Sequence, residues 1–286
     1  MNADLLLENA RWQAEISLHG GQLLRAYNAD SPSPVIWLGE RAMSGPEQAI
    51  RGGVPICWPW FGVSPVAGRP VQGFARTCQW KIERLESDSV QLILPEDHVP
   101  AGLRDFPFEL RSEIRLGEAL ELTLQMKNTG SVPVGITLAL HTYLAVGDIE
   151  AVRLYGLGQV PFTVKGGPEQ AGEPEPLTIC GECCRLYAPH SGTVRIDDPV
   201  LDRTLTIEKE NSHSTLIWNP GAERAARIAD LSAEEYRQFI CVEANRSEKD
   251  ILTIPPEDTI SVRQRIRLGR GVLPGGDRIN TEKRKR

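Results

Sequence analysis

A histidine and a glutamate, far apart in the sequence, are the side chains best suited to move protons. His141 lies in GITLALHTYLAVGDI, and an imidazole with an unperturbed pKa near ~6.5 can give or take a proton at neutral pH. Glu243 ends the apolar run FICVE, where desolvation would raise the pKa of its carboxyl group toward that of a working base. Each also has a plainer interpretation, since His141 could be a packed structural histidine and Glu243 a solvated strand end.

Two arginines stand beside turns that glycine permits. Arg51 precedes two glycines in IRGGVPICWPWFG, residues 50–62, and Arg76 ends VQGFAR, residues 71–76. Because glycine lets the main chain turn sharply, both guanidinium groups could meet an anion together with backbone N–H donors. Such arginines with aromatic neighbours suit a small phosphorylated, ring-shaped ligand. Alternatively, the arginines form structural cation–π pairs with nearby aromatic residues, namely Trp58, Trp60 or Phe74.

The cysteines carry a weaker signal. Cys180 and Cys183 form a C-x-x-C, with Cys184 adjacent and His190 close by, so a zinc or redox site has to be considered. A structural zinc site usually has two ligand pairs at regular spacing, and a redox C-x-x-C begins a helix in a βαβ unit that this sequence does not display. We therefore expect no metal and no cofactor.

The elements that must position these residues are β-strands. Apolar and polar residues alternate with a period of two, which is typical of half-buried antiparallel strands. The clearest runs are residues 90–94, 108–116 and 120–126. Further candidates, separated by Gly and Pro, are residues 136–146, 205–207, 216–218, 239–242 and 260–268.

Only one helix start is convincing. Ser232 and Glu235 form an S-x-x-E capping box before a short helix that runs directly into the strand QFICVE. Many strands with few short helices predict an all-β fold, a large antiparallel sandwich.

The predicted strand over residues 136–146 has two different faces. One face is apolar apart from Thr142 and belongs to the core. The other is small, aromatic and polar, and consists of Thr137, Ala139, His141, Tyr143 and Ala145. This second face suits the floor of a groove from which His141 projects.

Length, composition and charge limit the class of protein. With 286 residues and 41% hydrophobic content, the chain can bury a sizeable core, and we expect one domain over residues 1–277 with a flexible basic tail over residues 278–286. The net charge of −6 argues against a nucleic-acid groove. No signal-peptide h-region or apolar run of membrane-spanning length, ~20 residues, is present. We expect a cytoplasmic protein, with reduced thiols, that is a monomer.

Five segments occur together in an order that marks a family. IRGGVPICWPWFG, QGFAR, LALHTYLAVGDI, WNP and CVEAN resemble the hexose-6-phosphate mutarotases, also called glucose-6-phosphate 1-epimerases. This family is a branch of the aldose 1-epimerase superfamily, and the similarity extends from about Trp12 to about Leu268. The resemblance implies a galactose mutarotase-like β-supersandwich and an isomerase that takes a phosphorylated hexose as its small-molecule partner.

The resemblance also implies roles for individual residues. His141 and Glu243 match the catalytic histidine and glutamate of the family, both reached from strands that line one concave sheet. Arg51 and Arg76 match the arginines that hold the sugar phosphate. Gln72 stands where the family commonly has a histidine, and its amide can still hydrogen-bond a sugar hydroxyl. The aromatic cluster after Arg51 would help to form the groove wall.

Two departures from the family pattern bear on the substrate. Cys184 stands where an aspartate usually grips sugar hydroxyls, and Gly221 replaces the second tryptophan of W-N-P-W. The leading hypothesis is acid/base ring opening and reclosure of a hexose 6-phosphate, with Glu243 as base and His141 as acid. Two alternatives are a non-catalytic phosphosugar-binding or sensor protein on the same scaffold and an epimerase of unphosphorylated aldoses.

Overall fold

A computed structural model describes residues 3–43, 45, 48–164, 166–247 and 250–271. The predicted basic tail, and the end of the predicted domain at residue 277, lie outside these residues. No helix in the described ranges is long and apolar enough to cross a membrane.

The described part of the chain is built mainly from short β-strands. The first eleven are β1 (Leu5–Glu8), β2 (Trp12–Ser17), β3 (Gln22–Asn28), β4 (Ile56–Cys57), β5 (Lys81–Leu85), β6 (Ser89–Leu94), β7 (Phe108–Leu116), β8 (Leu120–Asn128), β9 (Val134–Ile136), β10 (Leu138–Leu140) and β11 (Tyr143–Ala145). The remaining strands are β12 (Arg153–Tyr155), β13 (Phe162–Val164), β14 (Glu169–Gln170), β15 (Cys183–Tyr187), β16 (Val194–Asp198), β17 (Arg203–Glu210), β18 (Ser214–Asn219), β19 (Phe239–Arg246), β20 (Leu252–Ile254) and β21 (Thr259–Arg270).

Helical structure within the described ranges consists of single turns between strands. The α-helix α1 spans Gly221–Ala225, and 3-10 helices span Ala75–Thr77, Glu96–His98, Ala101–Leu103 and Glu235–Gln238. At the predicted capping box, the Glu235 carboxylate accepts hydrogen bonds from the N–H and the hydroxyl of Ser232, both at 2.6 Å. The helix that follows is a 3-10 turn with Glu234 at its N-cap, two residues after the Ser232 that the capping box predicts.

Two eight-stranded antiparallel sheets pack on one apolar core. The first has the order β14-β13-β15-β18-β19-β10-β4, with β11 also paired to β19, and we call it the site sheet. The second has the order β12-β16-β17-β21-β8-β7-β6-β5, and we call it the support sheet. Smaller sheets have the orders β1-β2-β3 and β20-β9. The predicted all-β antiparallel sandwich is confirmed.

Alternation along the strands explains how the sheets pack. Every second residue of β7 and β8 is buried, as the period of two predicts, and the buried side chains face the core between the sheets. Burying one large aliphatic side chain stabilises the fold by roughly 1.5–3 kcal/mol, so a strand of this length contributes several such increments.

The predicted strand over residues 136–146 is interrupted in the structure. It consists of β9, β10 and β11, and β9 leaves the site sheet to pair with β20. At the second interruption the Thr142 N–H donates to the Leu140 carbonyl at 3.0 Å instead of across the sheet. This local bend was not predicted from the alternating sequence, and it lies directly beside His141.

Candidate active site

A cavity of about 820 Å³ opens on the outer face of the site sheet. Its floor includes Leu186 from β15, Leu216 and Trp218 from β18, and His141. Among the described residues that line the cavity, three are arginines and none is an aspartate or glutamate, namely Arg51, Arg76 and Arg224. In a protein with a net charge of −6, this lining is suited to an anionic ligand.

The register of the site sheet brings His141 and Glu243 together. Leu140 pairs with Ala244 and Tyr143 pairs with Cys241, so the same register places His141 opposite Glu243. Side chains directly opposite each other on antiparallel strands lie on the same face and in contact. The His141 Nε2 atom is 3.2 Å from the Glu243 Oε1 atom.

Burial determines the electrostatics of this pair. The Glu243 side chain is 0% exposed, and burial raises the pKa of its carboxyl group well above the usual value. Burial also lowers the pKa of His141, and the charges of Arg76 and Arg51 add to this effect, so that the pKa falls to about 3. The pair therefore favours forms without net charge, in which one proton is held between a carboxyl group and an imidazole.

Aromatic side chains fix the plane of the His141 ring. The ring stacks on Tyr143 with centroids 4.8 Å apart and an interplanar angle of 16°. Trp218 approaches its edge, with centroids 5.8 Å apart. The imidazole is thus held between two neighbours while its Nε2 atom faces Glu243.

Arg51 reaches the cavity from a turn that only glycines allow. Gly53 has φ of +69°, and a Cβ atom there would lie 2.3 Å from the Leu23 carbonyl oxygen. The Arg51 Nε donates to Asp230 Oδ1 at 3.2 Å, and its Nη1 donates to the Tyr143 hydroxyl at 3.2 Å. Asp230 therefore orients this guanidinium, a partner that the sequence analysis missed.

Arg76 is positioned by a second close approach of main chain to main chain. Gly73 has φ of +74°, and a Cβ atom there would lie 2.1 Å from the Trp58 carbonyl oxygen. The Arg76 Nη2 donates to the Val71 carbonyl at 2.9 Å, whereas its buried Nε has no hydrogen-bond partner among the described residues. Arg76 lines the same cavity as Arg51 and His141.

Gln72 also lines the cavity, but its amide oxygen is engaged by the main chain. The Gly62 N–H donates to Gln72 Oε1 at 2.7 Å, and the Gln72 N–H donates to the Gly62 carbonyl at 2.7 Å. These two bonds close the base of the loop over residues 62–72. Gln72 holds this loop with φ of +68°, a region that non-glycine residues seldom adopt.

The aromatic cluster after Arg51 belongs mainly to the core. Trp58 is 1% exposed and packs edge-on against Phe74, and Trp60 is also buried. Phe61 is the aromatic residue of this segment that lines the cavity. Of the aromatic cluster, Phe61 thus contributes to the cavity wall, whereas Trp58 and Trp60 lie in the core, where such large side chains are more stable. The arginine that lies over Trp60 is Arg69, at 5.5 Å.

Cys184 and Gly221 are the two residues that depart from the family pattern, and the structure shows their surroundings. Cys184 lines the cavity and pairs with Trp218 across β15 and β18. Gly221 has φ of +62°, and a Cβ atom there would lie 2.5 Å from the Glu182 N atom. The space that a tryptophan at position 221 would need is thus occupied by the main chain at Glu182.

The C-x-x-C segment does not form a compact ligand set. Cys180 is exposed, whereas Cys183 is buried and its thiol donates to the Ile217 carbonyl at 3.8 Å. Burial raises the pKa of Cys183 to about 12, which disfavours a reactive thiolate. Among the residues that the structure describes, no group of three or more His, Cys, Asp or Glu side chains is arranged to hold a metal ion.

Arg224 was missed because it lies on a helix that leaves little trace in the sequence. It belongs to α1, which has only five residues, too few to display a helical period. Its Nη1 donates to Glu182 Oε1 at 2.6 Å at the rim of the cavity. No motif in this polar segment would have indicated it.

The sequence of the chain matches a known protein family. The sequence profile of the aldose 1-epimerase family matches residues 4–267. The chain belongs to the aldose 1-epimerase family. A protein of Cenchrus ciliaris with the name "Putative glucose-6-phosphate 1-epimerase" is 30% identical over 260 residues, which cover 86% of this chain and 78% of that protein.

Solved structures of related sequence or fold have the same architecture. The crystal structure of a "putative mutarotase" from Salmonella typhimurium has a TM-score of 0.82 at 26% identity, and the match covers 93% of this chain and 90% of that one. A galactose mutarotase-like protein from Lactobacillus casei shares the fold, with a TM-score of 0.70 at 16% identity over 92% of this chain and 99% of that chain. The resemblance in the sequence is confirmed, and the protein is an isomerase of the mutarotase type.

Proposed function

We propose that this aldose 1-epimerase family member is a hexose-6-phosphate mutarotase that interconverts the α and β anomers of glucose 6-phosphate. The observation that carries the proposal is the contact between His141 and Glu243 beside an arginine-lined cavity. An acid and a base on neighbouring strands can serve two oxygens of one pyranose at the same time. The names of its relatives support glucose 6-phosphate as the substrate.

The reaction needs one base, one acid and a rotation. Glu243, as a carboxylate, removes the proton from the anomeric O1 hydroxyl while His141, as an imidazolium, protonates the ring oxygen O5. The bond between C1 and O5 breaks, and C1 becomes a carbonyl carbon. Rotation about the C1–C2 bond and reclosure on the other carbonyl face return both protons. Each positioned proton transfer typically accelerates a reaction ~10²–10⁴-fold.

The substrate phosphate would also favour the reactive charge state of the pair. Burial is the largest cause of the lowered pKa of His141, and the positive charges of Arg76 and Arg51 add to it. A phosphate dianion beside these arginines offsets their charge, so the pKa of His141 rises toward its usual value. The higher pKa favours transfer of the shared proton from Glu243 to the imidazole, which gives the carboxylate base and the imidazolium acid without uptake of a proton from water.

An anomer assay tests the proposal. Freshly dissolved α-glucose 6-phosphate is mixed with the protein, and the appearance of the β anomer is followed by a coupled enzyme or by NMR. We expect conversion above the spontaneous rate and its loss in His141→Ala. Binding of glucose 6-phosphate without acceleration would instead identify a phosphosugar-binding protein.

The phosphate assignment has its own test. Arg76→Gln should raise KM for glucose 6-phosphate and leave any conversion of free glucose unchanged, because only the phosphorylated sugar uses the guanidinium. Arg69→Gln is the matched control, since Arg69 lies on the neighbouring loop and pairs with Asp105 instead of lining this cavity. Equal activity on the phosphorylated and free sugars would contradict the assignment and favour an unphosphorylated aldose.

A further inference from the structure

Gln264 is a polar residue in an apolar row on the inner face of the support sheet. It lies on β21 between Val262 and Ile266, and all three side chains are 0% exposed. An amide in such a position costs free energy unless its donor and acceptor are both used. Gln264 satisfies this condition by reaching across the sandwich to the site sheet.

The contacts of the Gln264 amide leave only one orientation. Its Nε2 donates to the Val242 carbonyl at 2.9 Å, and its Oε1 accepts the hydroxyl proton of Thr142. A carbonyl oxygen can only accept, so the amide nitrogen must face Val242 and the amide oxygen must face Thr142. Thr142 follows His141 in the chain, and Val242 precedes Glu243.

These contacts fill a gap in the hydrogen bonding of the site sheet. The register places Thr142 opposite Val242, and the Val242 N–H donates to the Thr142 carbonyl at 3.2 Å. The Thr142 N–H would normally donate back to the Val242 carbonyl, but it donates to the Leu140 carbonyl at 3.0 Å. The Gln264 amide supplies the missing donor to Val242 from the other sheet.

We propose that Gln264 is a positioning residue that joins the two strands at this gap and thereby sets the separation of His141 and Glu243. The proposal rests on the acid–base roles given above. Gln264 touches neither reacting side chain, and it acts through the residue next to each of them. An error of about 1 Å in the position of a reacting group can lower the rate by as much as ~100-fold.

Two substitutions remove the contact from either end. Gln264→Met keeps the length of the side chain but has no amide, and Thr142→Val keeps the branched shape but has no hydroxyl. We expect Gln264→Met to lower kcat roughly 10- to 100-fold with a much smaller change in KM. Thr142→Val should lower kcat in the same direction, and the double variant should lose less than the product of the two single effects, since the variants share one contact.

Ile266→Ala is the matched control. Ile266 lies on the same face of the same strand and is equally buried, so its truncation destabilises the core but removes no hydrogen bond to Thr142 or Val242. Folded Ile266→Ala should retain the kcat of the wild-type protein. If kcat falls as far in this control as in Gln264→Met, or if both Gln264→Met and Thr142→Val keep the wild-type kcat, the proposal is wrong.

A readout that does not depend on turnover separates this proposal from the proposed function. The ¹⁵N chemical shifts of the His141 ring report its contact with Glu243 in the free protein. We expect these shifts to change in Gln264→Met and to stay unchanged in Ile266→Ala. A wild-type protein without mutarotase activity would overturn the function, whereas unchanged His141 shifts in a folded Gln264→Met would overturn the positioning role.

Discussion

The carboxyl group of Glu243 is a weaker acid than that of an exposed glutamate because it is buried in the protein. Its side chain has no exposure, and the His141 Nε2 atom lies 3.2 Å from its Oε1 atom, which keeps one proton within the pair. Burial acts on both groups in the direction of neutrality, raising the pKa of the glutamate and lowering the pKa of the histidine. A proton transfer inside the pair therefore changes the reactive form without changing the total number of protons.

Removal of the carboxylate tests the base directly. Glu243→Gln has nearly the same shape, so the fold should be preserved, but an amide cannot accept the O1 proton. We expect kcat to fall about 10²–10⁴-fold while KM for glucose 6-phosphate changes little. The anomer assay measures the rate, and thermal unfolding checks the fold. A variant with wild-type kcat would remove Glu243 from the mechanism.

The pH dependence of the free protein follows from the same pair. The pair holds one proton, which is joined by a second at acidic pH and lost at alkaline pH. Burial, with the charges of Arg76 and Arg51, lowers the pKa of His141 to about 3, and burial raises the pKa of Glu243 well above its usual value. We therefore expect no titration of the His141 ring near ~6.5, where a solvent-exposed histidine titrates. The ¹⁵N chemical shifts of the ring, followed from about pH 5 to 8 in the free protein, measure this, and an inflection near ~6.5 would contradict the account.

Cys184 offers a test of sugar recognition. It lines the cavity, and a thiol is a weak hydrogen-bond partner, whereas a carboxylate accepts strongly from hydroxyl groups. Cys184→Asp should therefore lower KM for glucose 6-phosphate, by about tenfold if one charged hydrogen bond of roughly 1.5 kcal/mol is gained. Steady-state kinetics of the two proteins measure the change. A higher KM would mean that the added charge repels the ligand.

At the scale of elements, the segments around β4 are held by close contacts that leave no room for a side chain. The strand β4 is only two residues long, yet the chain before it carries Arg51 and the 3-10 helix Ala75–Thr77 carries Arg76. Gly73 lets the main chain cross Trp58 at the start of this helix. The position of Arg76 thus depends on a glycine three residues earlier.

Two glycine substitutions distinguish the cost of a left-handed backbone from the cost of a steric clash with Trp58. Gly73→Ala adds a Cβ atom 2.1 Å from the Trp58 carbonyl oxygen, whereas Gly68→Ala, at a similar φ of +82°, meets nothing within 4 Å. We expect Gly68→Ala to cost about 1–2 kcal/mol of stability, the price of a left-handed residue. Gly73→Ala should cost more and should also raise KM for glucose 6-phosphate. Denaturant unfolding and kinetics measure both, and equal losses would contradict the steric argument.

The strands were predictable from the sequence, and their interruptions were not. Alternation identified β6, β7 and β8 because each has one buried face, and the family motifs identified the residues of the pair. The bend at Thr142 leaves no mark on an alternating pattern, since it changes hydrogen bonding and not burial. Asp230 and Arg224 lie in a polar segment without periodicity, so only the folded chain shows that they approach the cavity.

On the scale of the whole molecule, polar side chains of the support sheet donate hydrogen bonds to main-chain carbonyls of the site sheet. Arg203 donates to the Ala145 carbonyl at 2.7 Å, and Lys209 donates to the Ser214 carbonyl at 3.1 Å. Gln264 does the same at Val242. Apolar contacts are not directional and favour no single alignment of two packed sheets. These hydrogen bonds are directional and therefore favour one alignment.

Lys209 makes the stability of the molecule depend on pH. Burial lowers its pKa from 10.5 to about 7 in the folded protein. Between these values the unfolded chain binds a proton that the folded protein does not, so this residue makes the folded protein more stable as pH rises. Lys209→Met should lower the slope of the unfolding free energy against pH in this range by up to ~1.4 kcal/mol per pH unit. Denaturant unfolding of both proteins at several pH values measures it, and parallel slopes would contradict the prediction.

His141 and Glu243 occupy a different kind of structure from the cavity arginines. Glu243 lies within a central strand and His141 lies beside its neighbour, whereas Arg51 precedes the edge strand and Arg224 lies on a single helical turn. Connecting segments accept insertions and replacements far more readily than paired strands. Descendants of such a chain could acquire new sugar preferences by exchanging these segments and would inherit the chemistry unchanged.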